Sequence, residues 1–500
     1  MRYLFYFYSC FNPTFMGMLL DEAIEKTKDP GNEVLFVYCG GIFNMCLFNQ
    51  KGSRPLCGFC SSVVRKTLSN YNVKNEPLTK YRVKKEAKRF EYKTSEELRA
   101  LQYKDVSIGL GFMSGYISST RNLNPVINEE SKKYFDAHLQ QDVEMIDAFY
   151  NLLDQYKPDV VYTFNGRYEE VRSIYDICMK LNIHLFLSEG FPRNGIWKKV
   201  MFEDHLPHDI KYWVSRRDYS WDHYRMSEDE KNKLGHSFYL NRRNGVYAGD
   251  KIYIKDQIAG SIPDIDSSKI NIAIMNSSED EYAAVGADWD RLKFFPTQYD
   301  GIIYLIEHAA PNVHYYLRIH PNLKDIKYKF HTNLLDLPKK YDCITVIPAD
   351  SPISTYSLLD AVDKVVVFGS TMGIESVYWK KPVINLGPAL YSYDNICYEP
   401  KDLADLDQLI LSDLEPLYSD AVIKYGAFSM NQDPVIIEDK NICFQLKNHK
   451  FLKMQYSSTP YISFFINEEV TAFLVAICRF FLGSSLFARY TIPLEEDTNY

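Results

Sequence analysis

The sequence predicts an α/β chain built from two Rossmann-like domains, and three stretches predict it. Asp360–Gly387 has the pattern strand, loop, helix, strand. Val160–Gly190 carries a second such unit: Val160–Phe164 as a strand, Tyr168–Leu181 as a helix, Ile183–Leu187 as a strand. Between the two, Gly260–Lys269, with Pro263 and a Ser-Asp cluster, breaks the periodicity and marks a boundary. The division predicts one domain over 1–260, a second over 270–440 and a tail over 441–500 that packs back on the first.

In the first of these units Val365, Val366, Val367 and Phe368 form a short apolar run, as in a parallel strand buried on both faces. A loop with Gly369, Ser370, Thr371 and Gly373 comes next, then a helix ended by Pro382. The loop suits an anion: Ser370 and Thr371 bring hydroxyls, the glycines let backbone N–H groups approach, and the helix start adds partial positive charge. Glu375, in the first turn, is placed to accept from a ribose diol. Ser370 acting only as a helix cap is the plainer use of the same residue.

Upstream, Val313–Ile319 predicts a strand with Arg318 and His320 at its carboxyl end and Pro321 fixing the turn. Open α/β sheets bind ligands outside those ends. A histidine there can donate to a phosphate or to a departing oxygen. Ile270–Met275 predicts another strand, followed by Asn276-Ser277-Ser278-Glu279-Asp280-Glu281, where Ser277 and Ser278 can meet donor phosphate or cap a helix. In the first half, Asn165-Gly166-Arg167 and Ser188-Glu189-Gly190 fall at neighbouring strand ends. A carboxylate at Glu189 can act as a general base on a hydroxyl, and Arg167 beside it can hold an anionic sugar.

His320-Pro321, Ser370-Thr371 and Glu189-Gly190, in this order and placement, resemble the motifs of bacterial sialyltransferases and Kdo-transferase-like capsule-polysaccharide glycosyltransferases. NGR at 165–167, NSSEDE at 276–281 and RIHPN at 318–322 extend the resemblance, which covers roughly 39–426. It implies a GT-B-like fold with the two domains facing across a cleft. It also implies an acceptor-side first domain and a nucleotide-sugar-binding second domain. Glu189 and His320 become the expected catalytic residues. Ser277, Ser278, Arg318, Ser370, Thr371, Gly373 and Glu375 become donor ligands, and Asn165 and Arg167 substrate ligands. The family's acidic motif has two acids before glycine, and here Ser188 stands in the first place.

Cys39, Cys46, Cys57 and Cys60, the last two as CxxC, read either as a structural four-thiolate zinc site or as small core residues beside an unusual CxxC. Ten cysteines, no recognisable signal peptide and no transmembrane run predict a reducing, cytoplasmic setting. Net charge of −8 argues against broad nucleic-acid binding. Lys66–Lys104 reads as a solvated helical pair, and Val106–Phe112, with Gly109 and Gly111, as a stretch lining the cleft. Ser131–Tyr156 is an amphipathic helix. In the tail, Val470–Leu482 is apolar but interrupted by Arg479, which suits packing on the first domain or lying at a membrane interface.

The expectation is a glycosyltransferase of capsular or surface polysaccharide synthesis. Its donor is a nucleotide sugar, a CMP-sugar by resemblance, although UDP and GDP donors use similar loops. Its acceptor is a glycan or glycolipid, met at the inner face of the membrane or with capsule-assembly partners. No catalytic metal is demanded, because hydroxyls, the helix start and His320 can take the leaving charge. A UDP-sugar 2-epimerase-like enzyme, which also pairs a Ser/Gly loop with a following glutamate, and a non-catalytic partner of a capsule export complex are the competing expectations.

Overall fold

The computed structural model describes residues 1–84, 86–193, 196–248, 252–431, 444–445 and 476–497. The chain divides into two compact units, Met1–Pro207 with Asp439–Tyr500, and His208–Glu438.

The first unit is built on β1 (Arg2–Phe7), β2 (Glu33–Tyr38), β3 (Asn75–Pro77), β4 (Val160–Phe164), β5 (His184–Arg193) and β6 (Ile196–Glu203). Their order is β6-β5-β4-β1-β2-β3, with Phe444–Gln445 pairing antiparallel on the outer edge of β6. β1 to β5 run parallel, and β6 folds back antiparallel on β5. Leu4, Phe5, Tyr6 and Phe7 are all buried, as a central parallel strand covered on both faces demands. Phe5, Tyr162 and Phe186 stack across three adjacent strands, with centroids 4.6 and 4.9 Å apart. The helix Glu129–Tyr156 packs against the helices Ile108–Thr120 and Glu169–Leu181; Asn128 and Ser131 cap each other reciprocally at its start.

The second unit holds β7 (Ile270–Met275), β8 (Val313–Arg318), β9 (Ile344–Ile347), β10 (Lys364–Val367) and β11 (Val383–Asn385), all parallel, in the order β11-β10-β7-β8-β9. In both units the first strand is central, flanked by the second on one side and the fourth on the other. That reversal is the switch point of a doubly wound sheet, where a crevice opens at the carboxyl ends.

Several expectations change. The boundary falls at Pro207/His208, ahead of 260–270. Helices Ile210–His223 and Glu228–Arg243 belong to the second unit because they pack on the helix Asp420–Met430. A Cβ at Gly235 would lie 2.5 Å from the Ile423 carbonyl oxygen, and one at Gly426 2.4 Å from that of Gly235. Trp213 and Phe428 meet edge to face at 5.2 Å. Lys66–Lys104 is not a helical pair: a helix Arg54–Asn70 ends there, and β3 and a short helix Ser95–Arg99 come after it. Val106–Phe112 opens the helix Ile108–Thr120. A Cβ at Gly109 would sit 1.9 Å from the Leu98 carbonyl oxygen, so that glycine serves close packing inside the unit.

Of the tail, the residues 446–475, which include the start of the apolar stretch at Val470, lie outside the described residues. Residues 476–482 are helical, and residues 483–497 run along the first unit. Ser53 Oγ donates to the Leu482 carbonyl at 2.6 Å, Arg489 N to Lys51 at 2.8 Å, and Asp497 N to Asn124 at 2.8 Å. Among the described residues no helix is long and apolar enough to cross a membrane.

Candidate functional site

In the second unit a cavity of about 290 Å³ opens at the carboxyl ends of β7, β8 and β10. Its wall includes Asn276 after β7, Arg318 and His320 at the end of β8, and Ser370 and Thr371 after β10. Consecutive parallel strands deliver these groups to one edge of the sheet, as the pairing of Met275 with Arg318 and with Val367 requires.

His320 is oriented by its neighbours. Its backbone N–H donates to Asn276 Oδ1 at 2.8 Å, and its ring meets Tyr253 edge to face at 5.2 Å. The Asn322 backbone N–H donates to its Nδ1 at 3.2 Å. A backbone N–H can only donate, so Nδ1 is the acceptor and the ring proton sits on Nε2. Arg318 is buried and held by the carbonyls of Pro348 (2.8 Å) and Ser351 (3.3 Å). Its Nε has no hydrogen-bond partner among the described residues. Burial pulls its guanidinium down to about 10, the mark of a cation short of compensating charge.

The loop after β10 works differently from expectation. Gly369 has φ +78°, and a Cβ there would lie 1.9 Å from the Pro388 carbonyl oxygen. A Cβ at Gly373 would lie 2.1 Å from the Tyr391 hydroxyl, which itself donates to the Ser370 carbonyl. These glycines fit the loop against its own unit. The next helix, Met372–Tyr378, is only seven residues long. Ser370 Oγ accepts from Met372 N at 3.3 Å. Glu375 is fully buried, with Oε1 accepting from Arg242 Nε at 2.9 Å and Oε2 from the Tyr356 hydroxyl.

Ser277 and Ser278 turn inward. Ser277 Oγ donates to the Phe368 carbonyl at 2.9 Å, and Ser278 Oγ to Asp280 Oδ1 at 2.7 Å. Both are buried, and the loop reaches the cavity through Asn276 and Glu281. Arg242, Tyr253 and Tyr356 also line it. They come from segments with no loop signature, so their place depended on tertiary packing.

In the first unit, β5 does not stop at Ser188 but continues to Arg193, with Glu189 paired to Val200 of β6. Glu189 therefore sits within a strand, half-buried, and burial pushes its carboxyl up to about 7. Asn165 Nδ2 and the Gly190 N–H donate to its two oxygens and oppose that shift. Arg167 is buried, its Nε donating to Ser114 Oγ at 2.7 Å and its N–H to Asn165 Oδ1 at 3.1 Å.

Cys39, Cys46, Cys57 and Cys60 line one small cavity with Tyr8 and Asn49. Among the described residues, the trio whose ligand-type atoms all lie within 4.8 Å of one another is the largely exposed His184, Glu203 and Asp204, and no three of the thiols meet that spacing. Asn49 Nδ2 donates to Cys57 Sγ at 3.1 Å, and Cys10 N to Cys60 Sγ at 3.3 Å, so these sulfurs are engaged one by one. Close by, and unsignalled in the sequence, is a buried cluster. His138 Nδ1 lies 2.7 Å from Glu169 Oε2, with Asp142 and Glu170 beside them.

Residues 298–406 match the family model described as capsule polysaccharide biosynthesis protein. That segment holds Gly373 together with Arg318, His320, Ser370, Thr371 and Glu375, which line the cavity. No curated protein matches the chain. Among solved structures, a beta-Kdo 2,4 transferase, KpsC of Thermosulfurimonas dismutans, is 14% identical over 54% of this chain and 79% of that one, with a TM-score of 0.35. The UDP-GlcNAc 2-epimerase of Neisseria meningitidis bound to UDP-GlcNAc is 10% identical over 85% and 98%, with a TM-score of 0.25. A Streptomyces sp. SF2575 glycosyltransferase complexed with thymidine diphosphate is 11% identical over 87% and 96%, at 0.21. Likeness this distant leaves the site's own geometry to carry the functional reading.

Proposed function

We propose that the chain is a glycosyltransferase of capsular or surface polysaccharide synthesis that takes its sugar from a nucleotide donor, a CMP-sugar first. The observation that carries this is the cavity after β7, β8 and β10, where a buried guanidinium whose Nε has no partner among the described residues, an oriented imidazole and two loop hydroxyls share one wall. Such a wall suits a phosphate. The capsule-family match over the same residues supports it.

In this reading the acceptor hydroxyl oxygen attacks the anomeric carbon, and its proton passes to Glu189. The bond between that carbon and the donor phosphate oxygen breaks, and the electron pair leaves with the nucleotide. Arg318, His320 Nε2–H, Ser370 and Thr371 stabilise the charge as it grows there. Asn165 holds the Glu189 carboxylate in place. The acceptor is a glycan or glycolipid, and the setting is the cytoplasm or the inner face of the membrane.

Calorimetry with CMP, UDP, GDP and NAD on the wild type and on His320→Ala tests the donor site. CMP binding that weakens about tenfold or more in the variant, the loss of one charge-assisted bond, supports a sialyl- or Kdo-type donor. UDP or GDP binding moves the donor class. Interconversion of a UDP-sugar without acceptor points to the epimerase chemistry, and no binding by folded protein sinks the proposal.

A further inference from the structure

One buried carboxylate shapes a wall of this cavity. Glu375, Arg242 and Tyr356 come from three separate helices, Met372–Tyr378, Glu228–Arg243 and Thr355–Ala361. Glu375 accepts from Arg242 Nε through one oxygen and from the Tyr356 hydroxyl through the other. Arg242 also lies beside Tyr356 and pulls its hydroxyl pKa down against the effect of burial and Glu375, so the three groups form one cluster. The Arg242 guanidinium lies over the Phe238 ring at 5.3 Å. All three polar side chains line the cavity that Ser370, Thr371 and His320 share.

We propose that Glu375 is a positioning residue and that Arg242 is the group that touches the ligand, as an anion-binding residue for the phosphate of a bound nucleotide. This rests on the donor-site reading above. The sequence pattern suggested instead that Glu375 accepts from a ribose diol. The geometry argues against that use. The carboxylate is fully out of water and both its oxygens are engaged by strong donors. Turning an oxygen to a ribose would weaken a buried ion pair, and buried charges tolerate loss of a partner poorly. A guanidinium gripped through Nε by a carboxylate and braced on an aromatic ring is, by contrast, already ordered. It meets a phosphate without the entropy cost of fixing a long side chain. Lysine cannot reproduce this, because it lacks the planar fork.

The test is calorimetry with CMP, 2′-deoxy-CMP and cytidine on the wild type, R242Q, R242K, E375Q and the R242Q/E375Q double variant. The expected result is about tenfold or greater loss of CMP affinity in R242Q, with R242K close behind and cytidine unchanged in both. E375Q weakens CMP and 2′-deoxy-CMP by the same factor and adds little on top of R242Q, since it acts through the arginine. If E375Q abolishes a preference for CMP over its 2′-deoxy analogue, Glu375 touches the ribose and the proposal falls. It falls too if R242Q binds CMP like the wild type, or loses cytidine equally. Arg242 is not fully buried, so R242Q decides the matter alone should E375Q fail to fold. Wild type that binds none of CMP, UDP or GDP removes the donor reading as well. Nucleotide binding untouched by R242Q removes only this inference.

Discussion

Asn165 Nδ2 donates to Glu189 Oε2 at 2.5 Å, across the pair of strands β4 and β5. The bond depends on backbone shape: Asn165 sits at φ +53° and Gly166 at +78°, so the chain turns sharply at the end of β4 and returns the amide towards β5. Asn tolerates this conformation better than most residues. The same amide oxygen accepts the Arg167 N–H at 3.1 Å, which fixes which end of the side chain faces the carboxylate.

This relationship sets a pH dependence. Burial pushes the Glu189 carboxyl up to about 7, and the amide pulls the other way by favouring the charged form. In the mechanism proposed above Glu189 is the general base and must be ionised, so kcat/KM is expected to rise with pH and to level off above about 7. Asn165→Ala removes a bond that favours the ionised form, and the rising limb moves to higher pH. Glu189→Gln lowers the rate about a hundredfold or more, with donor affinity nearly unchanged. A pH–rate profile that stays put in Asn165→Ala refutes the role given to Glu189.

His320 carries its proton on Nε2, because the Asn322 N–H occupies Nδ1. Nitrogen-15 NMR on imidazole-labelled protein near pH 8 is expected to show His320 as the Nε2–H tautomer, with an accepting Nδ1. Adding the nucleotide keeps that tautomer and shifts the Nε2 resonance. An Nδ1–H signature contradicts the donor role in phosphate binding.

Much of the strand pattern was legible because apolar runs such as Val365–Val367 are flanked by turn residues, and parallel strands buried on both faces leave that signature. The carboxyl-end placement of Arg318, His320 and Ser370 came from those strands. Side-chain direction did not. Ser277 and Ser278 look equally able to face a ligand or the fold interior, and only the neighbours Phe368 and Asp280 decide. Arg242 gave no signal because its partners Tyr356 and Glu375 lie more than a hundred residues away. The glycines misled for a related reason: close backbone approach can serve Pro388 or Leu98 as readily as a ligand.

The cluster behind β1 gives a stability prediction. Both oxygens of Asp142 and Oε2 of Glu170 are buried without a hydrogen-bond partner among the described residues. Burial raises Asp142 well above its ordinary value and Glu170 to about 7, with neighbouring carboxylates adding to both. A carboxyl raised in the folded state leaves stability intact below its unfolded value, about 4. That stability is lost as pH rises through the folded value. Asp142→Asn removes one titrating group. It is expected to raise the midpoint of thermal unfolding at pH 8 by about 2–4 °C and to change it little at pH 5. Thermal melts at the two pH values check this. An equal loss at both means that the carboxyl makes specific bonds the amide cannot replace.

Gly369 and Gly373 separate two kinds of glycine requirement. At Gly369 the backbone is left-handed and an added Cβ meets the Pro388 carbonyl oxygen at 1.9 Å, backbone against side chain, with nothing flexible to yield. Gly369→Ala is expected to cost about 2 kcal/mol or more, from strain and displacement of the loop together. At Gly373 the nearest atom is the Tyr391 hydroxyl at 2.1 Å, with the ring carbon behind it at 2.9 Å. That oxygen also donates to the Ser370 carbonyl, so Gly373→Ala pushes on the loop through a hydrogen bond. Tyr391→Phe removes the obstructing oxygen. The double variant Gly373→Ala/Tyr391→Phe should regain part of the stability that Gly373→Ala loses, whereas adding Tyr391→Phe to Gly369→Ala should regain none. Urea unfolding of the four variants reads this directly. Rescue in both pairs, or in neither, means that Tyr391 does not press on the loop where the geometry places it.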